Sequence, residues 1–371
     1  MILLPDRFCG HGRAASSYAL AEGGLVVSER HSGRAVASIH DVARVTGVST
    51  ATVSRALRGF SNVSDKTRRA VERAAHDLGY VPSSSAAGLA TGKQMALGVV
   101  VPVVNRWFYT NVLHGVDVEL RAAGYDLILF SLGGHGDERT RLFHRSMLRK
   151  RIDALIMLSI DFTEDEKEQL ASLGLPLFAI GGPVRGVRHI GIDERGVARE
   201  ATEYLIGLGH RNIAYVGGDD EDGLNTAVPR SRRRGYRDAL EHAGLPIREQ
   251  WSLLGQFDVA ASRRVMGELL AAPGSRPTAV FAASDRMAFG VMLAARDAGL
   301  RVPEDLSVIG IDNDDMAEFL DLTTMAQEPV EQGALAARLL LGELAGEQPR
   351  KTSIRASAHL IVRGSARRLK G

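Results

Sequence analysis

Arg55 carries a planar fork that can give two hydrogen bonds to one guanine, a contact worth roughly 1–3 kcal/mol of discrimination. Thr50 and Ala51 share the exposed face of the same helical stretch, which begins just after Ser49. That face lies near the N-terminal half of the helix, the part of a recognition helix that meets base edges in the major groove. Ser49, Thr52, Asn62 and Ser64 are candidate phosphate contacts, which fix position rather than sequence. Across 38–82, Arg44, Arg55, Arg58, Lys66, Arg68, Arg69 and Arg73 stand against Asp41, Asp65, Glu72 and Asp77. The excess of three positive charges there exceeds the +2 of the whole chain, so any attraction to a polyanion is local.

A second set of polar groups sits at the ends of apolar runs. Asp312 closes Ile309-Gly310-Ile311, and Ser284 and Asp285 follow Phe281-Ala282-Ala283. A carboxylate in such a place can accept hydrogen bonds from two hydroxyls of a polyol. Asp285 is equally placed to cap the helix that follows, whereas Asp312 is the acid expected to face a cleft. Motifs for turnover are missing: no GxxxxGK[ST], no GxGxxG after a strand, no HExxH and no GxSxG. The 11 histidines are scattered without ligand spacing. Gly133-Gly134-His135-Gly136 reads as a loop. No catalytic residue, metal site or cofactor is expected, and the chain reads as a binding protein rather than an enzyme.

The elements that must position these residues follow from spacing. Ser38 caps a helix over 39–45, Gly47 supplies the positive φ of a turn, and Ser49 caps a second helix to about Leu57. Val42, Val48 and Val53 fill the core between them. Ser64 caps a third helix with Val71, Ala75 and Leu78 on one face, ended by Gly79 and barred by Pro82. From Leu97 onward, apolar strands over 97–104, 125–130, 154–158, 177–180, 213–216, 278–282 and 306–311 alternate with helical stretches such as 112–123, 197–208 and 233–243. That alternation specifies parallel sheets covered on both faces, and its length exceeds one core, so two lobes are expected. The expected division is 1–37 as a tail or a mis-assigned start, 38–82 as a three-helix module, 83–93 as a linker and 94–371 as the two-lobe part.

The 371 residues hold one cysteine, Cys9, so no internal disulfide can form. No run is long and apolar enough for a membrane span, and no basic segment precedes an apolar stretch at the start. A cytoplasmic protein is expected.

The string Asp41-Val42-Ala43, Gly47-Val48-Ser49, Thr52-Val53-Ser54-Arg55 and Leu57 resembles the hallmark of the lactose repressor/galactose repressor family. Val63-Ser64, Thr67-Arg68, Val71, Ala74 and Leu78-Gly79-Tyr80 with Pro82 extend the match, which runs on over roughly 38–364. The resemblance implies a lambda-repressor-like helix-turn-helix joined by a hinge to a periplasmic-binding-protein-like sensor. It implies a dimeric transcriptional regulator, commonly a repressor, that reads palindromic double-stranded operator DNA and answers a small effector, a sugar or a relative of one. Leu89 matches the hinge leucine that wedges into the minor groove of the operator. Ser83 and Gly88 depart from the usual hinge residues, and Gly88 should weaken a hinge helix by about 1 kcal/mol relative to alanine.

In the sensor, the resemblance places Asn105, Trp107 and Phe108 at the mouth of a cleft, although Trp107 and Phe108 could equally be core. It assigns a ligand-binding arginine to Arg232, three residues before Gly235, and a stacking aromatic to Phe257. Ile180 stands where some sugar-responsive members have an acid. Crossings between lobes are expected near 190–193, 323–327 and 351–354. With no leucine heptads near the end, a dimer without a tetramerising coil is expected. The competing reading is a solute-binding protein without a DNA-dependent role.

Overall fold

A computed structural model describes residues 37–57, 62–80, 93–133, 148, 151–182, 184, 186–219, 227–274, 276–348 and 353–369. The tail over 1–36 and hinge residues 83–92, with Ser83, Gly88 and Leu89, lie outside the described residues. The chain separates into two compact units, one on each side of the Pro82–Ser83 bond.

The first unit contains α1 (Ile39–Thr46), α2 (Thr50–Leu57) and α3 (Asp65–Leu78). Its helix starts are set by local hydrogen bonds. The Asp41 carboxylate accepts from Ser38 N at 3.0 Å and from Ser38 Oγ at 2.8 Å. The hydrogen bond from the Ser38 backbone, then that from its side chain, holds the Asp41 carboxyl below its ordinary range. Gly47 and Gly79 end α1 and α3 at φ 68° and 67°. Val42, Val53, Ala56, Val63, Val71, Ala74 and Ala75 form the core, and Val48 packs at its edge.

The second unit begins with β1 (Ala96–Val101), α4 (Trp107–Ala122), β2 (Asp126–Ser131), β3 (Ala154–Leu158), α5 (Glu164–Ser172), β4 (Leu177–Ile180) and β5 (Arg188–Gly191). It continues with α6 (Glu194–Gly207), β6 (Ile213–Gly217), α7 (Ala227–His242), β7 (Ser252–Leu254), α8 (Val259–Ala271), β8 (Ala279–Ala282) and α9 (Asp285–Asp297). The last elements are β9 (Ser307–Asp312), α10 (Asp315–Phe319), β10 (Thr323–Gln327), α11 (Pro329–Leu344), β11 (Ser353–Arg355) and β12 (Ala358–Ile361).

Two sheets result, with orders β11-β5-β4-β3-β1-β2 and β12-β10-β9-β8-β6-β7. The described pairings are parallel apart from β12, which runs antiparallel to β10. β1, β3, β6, β8 and β9 are buried along their whole length, as strands covered on both faces must be. The two lobes repeat one strand order, a likeness that the sequence does not display as a repeat.

The chain passes between the sheets three times: after β5 on the way to α6, after β10 on the way to α11, and between β11 and β12. Residues 323–327, expected to cross, are themselves strand β10, and the passage comes at its end. The third passage falls a few residues later than 351–354.

Helix pairs in the lobes meet at glycines. A Cβ on Gly115 of α4 would strike the backbone of Val330 and Ala334 in α11, and one on Gly333 would strike Val112 O. α11 follows the second sheet in sequence but packs Ala336, Ala337 and Leu340 into the core of the first lobe.

Candidate functional site

A cavity of about 360 Å³ lies between the lobes of the second unit. Its wall comes from the C-terminal ends of strands and the helix starts that follow them, where parallel α/β sheets place their ligand sites. The first lobe supplies Pro102 and Val103 after β1, Arg106, Phe108 and Tyr109 at the start of α4, Ser159 after β3 and Gly181 after β4. The second lobe supplies Asp219 after β6, Val228, Pro229 and Arg232 of α7, Gln256 and Phe257 after β7, and Asp312 and Gln327 at the ends of β9 and β10. Glu194 enters from the first passage between lobes, at the start of α6.

The polar groups are held in fixed positions. Arg232 is buried, and its Nε donates to Glu194 Oε2 at 2.6 Å while Nη1 donates to Ala283 O. Gln327 Nε2 donates to Asp312 Oδ1 at 2.7 Å. Arg106 reaches across from the first lobe, donating Nη1 to Gln256 O at 2.6 Å with its guanidinium 5.5 Å from the Phe257 ring centre. Ser159, Gln256, Phe257 and Asp312 all have positive φ, at 46°, 54°, 54° and 128°. Non-glycine residues avoid this region, and such strain concentrates where a wall must aim particular groups at a ligand.

Electrostatics follow from burial. Burial pushes the Asp312 carboxyl up to about 7, against the pull of the Arg232 guanidinium and the Gln327 amide. Glu194 and Asp314 add to the rise. Burial draws the Arg232 guanidinium down, but the Glu194 and Asp312 carboxylates outweigh it and leave Arg232 firmly charged. A carboxyl whose folded pKa is raised stabilises the fold fully below its ordinary 3.8, and that contribution is lost as the pH rises through about 7. The stability of the wild-type protein is therefore expected to fall between about pH 5 and 8 by on the order of 2 kcal/mol more than that of Asp312→Asn. Parallel urea titrations of the two proteins would check this, and equal slopes against pH would contradict it.

Of the eight cleft residues expected from the sequence, Phe108, Arg232, Phe257 and Asp312 line the cavity. The other four do not. Asn105 is exposed in the loop after β1. Trp107 opens α4 half-buried, and its Nε1 meets no hydrogen-bond acceptor among the described residues. Ser284 caps α9, its side chain accepting from Met287 N at 3.3 Å. Asp285 is buried outside the cavity lining and accepts from Asp314 N at 2.8 Å and Thr324 Oγ1 at 2.6 Å, which ties the ends of β8 and β9 to the start of β10. Both oxygens are engaged within the protein, and the residue exposes no surface to the cavity. Burial, then the charge of Asp312, drives its carboxyl well above the ordinary range. Arg106, Ser159, Glu194, Asp219, Gln256 and Gln327 were not anticipated. The strand-end rule that picked Asp312 also reaches Ser159, Asp219 and Gln327, which stand at or just beyond the ends of β3, β6 and β10.

In the first unit, Ala51 and Arg55 are exposed one turn apart on α2, with Thr50 half-buried beside them. Val53 and Ala56 take the opposite, buried face. Arg55 makes no ion pair among the described residues. Ser49 Oγ accepts from Thr52 N at 3.2 Å and lies 2.9 Å from Thr52 Oγ1. Ser64 Oγ accepts from Thr67 N at 3.2 Å, and Asn62 is exposed in the turn before it. The N-termini of α2 and α3 thus carry hydroxyls and free N–H groups, the arrangement that receives phosphate oxygens.

Residues 38–83 match the profile of bacterial regulatory proteins, lacI family, and residues 202–366 that of a periplasmic-binding-protein-like domain. The HTH-type transcriptional repressor CytR of Escherichia coli (strain K12) is 35% identical over 337 residues, covering 90% of this chain and 97% of CytR. The chain belongs to the lacI family. Among solved structures, a complex of the transcriptional regulator CelR with cellobiose is 33% identical, with a TM-score of 0.65 over 89% of this chain and 99% of CelR. The lac repressor dimer bound to operator and the anti-inducer ONPF is 26% identical, with a TM-score of 0.77 over 89% of this chain and 99% of the repressor. As in other lacI-family regulators, DNA reading falls to a helix-turn-helix and effector sensing to a two-lobe domain. Among the described residues, no helix is long and apolar enough to cross a membrane.

Proposed function

We propose that this lacI-family regulator is a dimeric, cytoplasmic repressor of palindromic operators, controlled by a sugar or related metabolite held between its lobes. The observation that carries the reading is the cavity, with Arg232, Glu194 and Asp312 fixed on one wall and Phe108 and Phe257 offering aromatic faces from opposite lobes. On this reading 38–82 is the DNA-binding domain, 83–93 the hinge with Leu89 as its minor-groove wedge, and 94–371 the effector and dimerisation domain. Residues 1–37 lie outside the working parts. Thr50, Ala51 and Arg55 read bases, while Ser49, Thr52, Asn62 and Ser64 hold phosphates. Phe108, Arg232, Phe257 and Asp312 are the ligand contacts, and the cleft binds without turnover.

Dimerisation is supported by the lac repressor dimer and by α10 with the residue that follows it, which leave Met316, Leu320 and a 79% exposed Phe319 on the surface. Ligand in the cleft shifts the balance between lobe arrangements, a coupling of about 1–3 kcal/mol. The test is fluorescence anisotropy on duplexes selected from a random pool, with and without candidate sugars. Selected palindromic duplexes should bind in a salt-dependent way, with an affinity that a sugar changes. Equal affinity for all sequences would overturn the reading. Arg55→Ala should lose about 1–3 kcal/mol at one base pair of each half-site and tolerate substitution there. A uniform loss across all sequences would mean that Arg55 holds a phosphate instead.

A further inference from the structure

Among the described residues, the wall of the cavity carries five charged side chains: Arg106, Glu194, Asp219, Arg232 and Asp312. Each has at least one partner within the protein. Arg232 is held by Glu194 and Ala283 O. Asp312 accepts from Gln327. Arg106 is spent on Gln256 O and the Phe257 face. Asp219 also has its partner within the protein. Three carboxyl groups face two guanidiniums, so the described residues give the cavity no surplus of positive charge even with Asp312 partly protonated.

An anion entering this cavity would meet that balance at close range. A phosphate ester adds about −1.5 to −2 charges at pH 7. To be received it would have to share Arg232 with Glu194 and sit beside the Glu194 and Asp312 carboxyls, a like-charge juxtaposition that is costly. Hydroxyl groups make no such demand. They donate to carboxylate oxygens and accept from the amides of Gln256 and Gln327 without changing the charge sum. Phe108, Phe257, Val103 and Pro229 supply apolar surface for a ring face.

We infer that the cleft takes an uncharged, polyhydroxylated ring compound and rejects the phosphorylated or carboxylated form of the same molecule. This inference rests on the reading of the cleft as the effector site.

The test uses the full-length protein and matched pairs: glucose with glucose 6-phosphate, ribose with ribose 5-phosphate, and adenosine with its 5′-monophosphate. Each is titrated by calorimetry, with the thermal midpoint as a second readout. At least one neutral member should bind, with its phosphorylated partner at least about 100-fold weaker. A phosphate ester that binds as tightly as its parent, or tighter, overturns the inference and leaves the cleft as an effector site. If no member of any pair binds, the effector-site reading falls and the inference falls with it. Glu194→Gln, which frees Arg232 of its counter-charge, should narrow the discrimination by about 10-fold. Unchanged discrimination in that variant would overturn the role given to the Arg232–Glu194 pair.

Discussion

Arg232→Ala is expected to cost the second unit about 3–5 kcal/mol of stability, because it strands a buried partner. Arg232 is 4% exposed, and the Glu194 side chain it meets is 15% exposed. Truncation leaves the Glu194 carboxylate and Ala283 O without their donor and removes the cation nearest Asp312. Urea unfolding followed by tryptophan fluorescence would show the drop. Removing Glu194 as well should return more than half of it, because the two losses share one interaction. A midpoint shift worth less than about 1 kcal/mol would mean that the pair behaves as an exposed ion pair. In folded protein, the same variant should lose its response to effector and keep operator binding. From the sequence Arg232 is either the ligand contact that the resemblance implies or one of four arginines coating a helix start; its partners make it part of the lobe.

The second large effect is expected at a residue with no side chain. Gly115→Val should destabilise the first lobe by about 3 kcal/mol or more, at or above the upper end for overpacking. Any Cβ at Gly115 would strike the backbone of α11 at Val330 and Ala334, and Gly333 makes the reciprocal approach to Val112. Backbone against backbone leaves no rotamer to turn aside, so α4 and α11 must part. α4 also carries Phe108 and Tyr109 into the cavity wall, so effector affinity should fall with stability. Gly267 in α8 is the control: a Cβ there meets nothing within 4 Å. Gly267→Ala should therefore stabilise by about 0.4–1 kcal/mol. Thermal unfolding of the two variants beside wild type would separate the cases, and equal shifts would refute the close crossing.

What the sequence by itself determined is what short-range rules can encode. Ser38, Ser49 and Ser64 mark helix starts and Gly47 and Gly79 mark helix ends, since a cap needs only its neighbours three or four residues away. Five of the fully buried strands, β1, β3, β6, β8 and β9, are legible as apolar runs, whereas β10, just as buried but written Thr-Thr-Met-Ala-Gln, is not. Short strands are not: β7 and β11 have three residues each, and their pairing rests on the sheet edge they join rather than on their own pattern.

The cleft was half legible for a similar reason. Position after a strand is a local property, and it marks Asp312 and Asp285 alike. Which of the two faces the ligand depends on what packs behind it. Asp285 turns to Asp314 and Thr324, while Asp312 turns to Gln327 and the cavity. Glu194 carries no local signal, because its partner Arg232 lies 38 residues away and meets it only once the chain has passed between the lobes. Sequence determined the helices of the first unit and the ends of the longer apolar strands. Tertiary structure alone decided which strand ends share a cavity and which charges there are already answered, because both depend on contacts between segments far apart in the chain.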